Sequence, residues 1–105
     1  MGVATRRRRK RRLGALPLMK LRACQALLKV VEDVGEKELS YRDMVEIMMR
    51  DSGVSIFYAM NIVRELAFLG VIEKSRYGFY KVSRDKLSEH VRRLEAELRR
   101  RMGEG

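Results

Sequence analysis

The chain has 105 residues, enough for one small hydrophobic core with tails but not for two. Its net charge is +10, yet without the seven adjacent cations of Arg6 to Arg12 the remainder carries only +3, so the excess is concentrated in one short segment. A hydrophobic content of 46% argues against wholesale disorder, a single Cys excludes an internal disulfide or a multi-cysteine zinc site, and no apolar run approaches the ~20 residues of a membrane span.

Met1 to Arg12 is a block of like charge that repels itself in any compact state, and it is expected to be a disordered arm that gains order from a partner. The stretch Leu13 to Leu21 is interrupted by Gly14, Pro17 and Lys20, unlike the core of a signal peptide, which leads us to expect a soluble cytoplasmic protein without membrane contact. Pro17 suits the first turn of a helix of about eighteen residues. Leu21, Cys24, Leu27, Leu28, Val31 and Val34 follow at spacings of 3 and 4, and Gly35 supplies the stop. Ser40 with Asp43 resembles a capping box, after which Met44, Val45, Ile47 and Met48 give a second helix its buried face. Asp51, Ser52 and Gly53 end it. Ser55 is placed to cap a third helix running through Leu69, with Ala59, Ile62, Val63 and Leu66 inward and Gly70 at its end.

After Gly70 the period changes. Val71 to Ser75 and Phe79 to Ser83 are rich in β-branched and aromatic residues and flank a tight Arg76-Tyr77-Gly78 connection, the pattern of a small hairpin. Asp85 is placed to cap a last helix on which Leu87, Val91, Leu94 and Leu98 repeat at 4, 3, 4, the seam spacing of a coiled coil. A seam barely two heptads long is marginal alone, so it should pack on its own domain or on a copy of itself. The expected fold class is mainly α with a small β-hairpin.

Three helices followed by a hairpin is the layout of a winged helix-turn-helix. The stretch from Ser40 to Ser83 resembles the archaeal winged-helix family of DNA-binding proteins. The likeness lies above all in Val54-Ser55, Ile62-Val63-Arg64-Glu65-Leu66 and Leu69-Gly70-Val71-Ile72-Glu73-Lys74. The last helix is similar to the dimerisation helix of small archaeal winged-helix regulators and chromatin proteins. This divides the chain into a basic arm (1–12), a winged-helix domain (13–83) and a C-terminal dimerisation helix with tail (84–105), with Leu87, Val91, Leu94 and Leu98 at the dimer interface. The resemblance implies that Ser55, Phe57, Tyr58, Met60, Asn61 and Arg64 lie on or near the outward side of the third helix. Of these, only Asn61 and Arg64 are of the types that match donor and acceptor patterns on base edges. Ile56, Phe57, Met60 and Phe68 form either an apolar patch for a protein partner or second subunit, or core covered by the first helix.

The arm has chemistry independent of fold. Arg6, Arg7, Arg8, Arg9, Lys10, Arg11 and Arg12 can each neutralise a phosphate and release condensed counterions, and an Arg can enter a narrow minor groove. Hairpin residues Lys74, Arg76 and Lys81 are placed for phosphate contact, whereas Arg99 to Arg101 read as a solvated helix end beside the last carbonyls. Catalysis finds no support: His90 and Cys24 have no second His or Cys to form a base, metal-ligand set or triad, and there is no phosphate-binding Gly-rich loop. The expectation is a non-enzymatic, cofactor-free homodimer on double-stranded DNA, a transcriptional regulator or chromatin-associated factor at the nucleoid. An RNA-bound ribosomal protein and a protein-interaction module of a transcription or replication complex are the alternatives.

Overall fold

The computed structural model describes residues 2–104, and the side chains of 17–103. The described residues form four helices and a three-stranded antiparallel sheet in the order α1 (Gly2–Val31), β1 (Glu36–Ser40), α2 (Tyr41–Ser52), α3 (Ile56–Phe68), β2 (Ile72–Arg76), β3 (Phe79–Ser83) and α4 (Arg84–Glu104). The two central helices follow from local signals. The Ser40 hydroxyl accepts the Asp43 N–H and the Ser55 hydroxyl accepts the Tyr58 N–H, satisfying amides that a helix start otherwise leaves open. Gly53 closes α2 in the left-handed conformation, φ 73°, with its N–H on the Met49 carbonyl. Each helix buries the four residues that its 3-and-4 spacing selects: Met44, Val45, Ile47 and Met48 on α2, and Ala59, Ile62, Val63 and Leu66 on α3.

The expected helix start at Pro17 is corrected, because Pro17 lies inside α1. Proline's φ is already helical, so a helix can run through it at the cost of one backbone hydrogen bond and some crowding. The bounds of α1 take in residues 2–12 of the segment expected as a free arm, whose side chains lie outside the described residues. At the other end the helix stops at Val31, whose carbonyl accepts the Gly35 N–H at 2.8 Å, so Val34 falls past the apolar stripe and is 62% exposed. Leu21, Cys24, Leu27 and Val31 do face the core.

The expected hairpin is β2 and β3, turning at Tyr77 and Gly78, but it belongs to a larger sheet of strand order β1-β3-β2. β1, of sequence EKELS, escapes the sequence reading since it has no β-branched or aromatic residue and buries only Leu39. Its extended form is imposed by pairing with β3, from Glu36 opposite Ser83 to Ser40 opposite Phe79. The Tyr41 N–H donates to the Gly78 carbonyl at 2.9 Å, tying the hairpin turn to the start of α2.

α4 starts on a Ser83 cap, the hydroxyl accepting the Lys86 N–H, with Asp85 in its first turn rather than at the cap as expected. It lies antiparallel to α1: the Arg84 guanidinium donates to the Glu32 carbonyl and the Gln25 amide donates to Glu95, so ascending α4 means descending α1. This disposes of half of the anticipated dimer seam. Leu87 and Val91 are buried in the chain's own core, while Leu94 and Leu98 are partly buried against it. The apolar stripe of α1 supplies the partner that a second copy was expected to provide. Together with Leu27, Met44, Met48, Leu66 and Ile72, Leu87 forms the fully buried centre, each such side chain contributing about 1.5–3 kcal/mol from burial.

Candidate nucleic-acid interface

The outward side of α3 is set by what its inner face must bury. With Ala59, Ile62, Val63 and Leu66 inward, Phe57, Asn61, Arg64 and Phe68 recur at 4, 3, 4 along the opposite side, and all four are exposed. Phe57 and Phe68 are 75% and 90% exposed and Ile56 is also exposed, so they are not core beneath α1; Met60 is half-buried. Ser55 spends its hydroxyl as the helix cap. Tyr58 is half-buried at the edge of a cavity of about 430 Å³, shared with Pro17, Lys20, Asn61, Leu94 and Leu98. Burial pushes its phenol above the usual value. Beside it, Lys20 and Glu65 form an ion pair at 2.9 Å that bridges α1 and α3.

The hairpin cations sit in unequal surroundings. Arg76 lies 3.2 Å from Glu38 and stacks its guanidinium over the Phe79 ring at 4.3 Å, so it is held against the sheet. Lys81 stands in register between Glu38 on β1 and Glu73 on β2. Both carboxylates are held below their ordinary range, Glu38 chiefly by the Ser75 hydroxyl and Glu73 chiefly by Lys86 at 2.9 Å, with Lys81 adding to each. Lys74 is exposed near the turn, its ammonium 5.9 Å from the Tyr77 ring, which is itself 92% exposed. Of the three expected phosphate contacts, Arg76 and Lys81 are therefore matched by acids of the same sheet, and Lys74 is the better placed. Sequence reasoning missed Glu38 because the strand that carries it leaves no local signal.

The arm residues Arg6, Arg7, Arg8, Arg9, Lys10, Arg11 and Arg12 have side chains outside the described ones. Arg99, Arg100 and Arg101 are exposed near the C-terminal end of α4, where cations complement the open carbonyls of the helix. Cys24 is fully buried, and desolvation pushes its thiol up to about 12, leaving no thiolate at neutral pH. His90 is buried with Nε2 unpartnered among the described residues, and burial lowers its pKa. Among the described residues no cluster of His, Cys, Asp or Glu could hold a metal ion, and no helix is long and apolar enough to cross a membrane. No family model, curated protein or solved structure matches this chain.

Proposed function

We propose that the chain is a winged-helix protein that binds double-stranded DNA at the nucleoid, as a transcriptional regulator or chromatin-associated factor and without enzymatic activity. The observation that carries this reading is the element order α1-β1-α2-α3-β2-β3, with the sheet ordered β1-β3-β2 and α3 turning Asn61 and Arg64 to solvent. That order has the layout of a helix-turn-helix followed by a wing, in which α3 enters a groove and the hairpin meets the flanking backbone. An Asn side chain offers the donor and acceptor pair that adenine presents in the major groove, and an Arg meets guanine or phosphate. The seven cations of the arm add affinity independent of sequence.

A homodimer belongs to the same reading, with Leu94 and Leu98 as the part of the α4 seam left for a second copy. Sedimentation should show Leu98→Glu shifting dimer to monomer. The DNA reading is tested by duplex binding across a salt series. Asn61→Ala should relax discrimination between duplexes by about 1–3 kcal/mol, which supports a regulator; equal loss on every sequence supports a chromatin role. Removing residues 1–12 should flatten the slope of log affinity against log salt by several units, at roughly 0.9 per phosphate released. Unaltered binding in Asn61→Ala, Arg64→Ala and the truncated chain would refute the assignment of both α3 and the arm.

A further inference from the structure

We propose that the outward face of α3 takes unpaired bases, with Phe57 and Phe68 as stacking platforms and Asn61 and Arg64 between them reading base edges and phosphate. The 4, 3, 4 spacing sets the four side chains in one row, with the two rings exposed at its ends. Phe57 and Phe68 are 75% and 90% exposed, so the fold leaves most of their apolar surface free for a ligand. At 1.5 Å per residue the ring-bearing positions are about 16 Å apart along the helix, the reach of several nucleotides.

Charge selects the occupant. Glu65 is the single acid of α3, and it is turned to Lys20 at 2.9 Å, so the row itself is without negative charge and Arg64 is exposed in its middle. On a chain of net charge +10 this suits a polyanion that also carries flat apolar groups. A single nucleic-acid strand offers both at every step, because each base has a π-face and each linkage a phosphate. In an intact duplex the base faces are already stacked, and only groove edges are presented. The inference rests on the nucleic-acid reading above and adds single-stranded or locally melted segments to its duplex ligand.

The experiment compares a fluorescein-labelled 20-nucleotide oligo(dT) with a fully paired duplex of the same length. The wild-type chain should bind the oligonucleotide at least as tightly as the duplex. Phe57→Ala and Phe68→Ala should each weaken the single-strand complex by about 5- to 150-fold while changing duplex affinity far less. Both residues are exposed, so the variants keep the core intact. Since the chain has no Trp, Phe57→Trp introduces a lone indole that should retain binding and lose emission on stacking with oligo(dT). Full single-strand affinity in both alanine variants, or an indole unmoved by oligo(dT), overturns the inference and leaves the duplex reading standing. Wild-type affinity in Phe57→Leu overturns it too, because a leucine keeps the apolar surface but cannot stack, and the face would then belong to a protein. Failure of the wild-type chain to bind either nucleic acid at low salt removes both readings together.

Discussion

Truncating Leu87 to Ala tests whether the apolar stripe of α4 belongs to this chain or to an assembly. Leu87 has no exposed surface and lies in the core with the stripe of α1. The change deletes three carbons, worth ~2.4 kcal/mol at ~0.8 kcal/mol each. The unfilled part of the cavity adds about 1–2 kcal/mol, giving a total near 3–4 kcal/mol. A domain of this size holds ~5–15 kcal/mol, so the variant should fold with a large part of its margin gone. Urea unfolding followed by far-ultraviolet circular dichroism should show it. With a slope of ~1–1.5 kcal/mol/M, the midpoint falls by roughly 2–4 M. The measurement is made at a dilution where sedimentation gives a monomer. If the monomeric variant unfolds within ~0.5 M of wild type, or if wild-type stability depends steeply on concentration and Leu87→Ala abolishes that dependence, the seam is intermolecular and the packing described here is refuted.

Three further expectations concern titration and charge. His90 is buried in its neutral form, with its folded pKa lowered first by desolvation and further by Arg93 and Lys20, against Glu65 and Glu97. Its contribution is present above the unfolded value near 6.5 and is lost as pH falls below that value toward the folded pKa, so Tm should drop between pH 7.5 and 5, and less in His90→Gln; a folded-state NMR titration midpoint above 6.5 would contradict this. The Cys24 thiol, raised to about 12, should resist a disulfide reagent at pH 8 in the native chain and react at once in urea; rapid native labelling would mean that α1 does not seal it. Glu38→Gln should release Arg76 and Lys81 from their acidic neighbour, raising duplex affinity at low salt and steepening the salt slope by up to ~0.9 per cation freed, while leaving stability nearly unchanged at so exposed a site. An unchanged slope would show that the hairpin does not touch phosphate.

Sequence alone determined the elements whose causes lie within one turn of chain. α2 and α3 follow from a serine cap, an apolar residue every third or fourth position and a glycine end, and their eight buried side chains are those the spacing picks out. β2 and β3 follow from β-branched and aromatic residues on either side of Tyr77-Gly78. Asn61 and Arg64 lie exposed on the side of α3 away from its inner stripe, where the resemblance to the winged-helix family puts them, whereas Tyr58 and Met60, put there too, are half-buried. Tertiary structure decided what depended on a partner distant in sequence. β1 is extended only because β3, about forty residues later, completes its hydrogen bonds, and without β1 there is no Glu38 beside Arg76. The 4, 3, 4 repeat of α4 states that a stripe must be buried but not against what; α1 settles it for Leu87 and Val91. The apolar α3 residues Phe57 and Phe68 are chemically indistinguishable from core in the sequence, and only the packing of α3, chiefly on α2 with β2 and α1, leaves them in water.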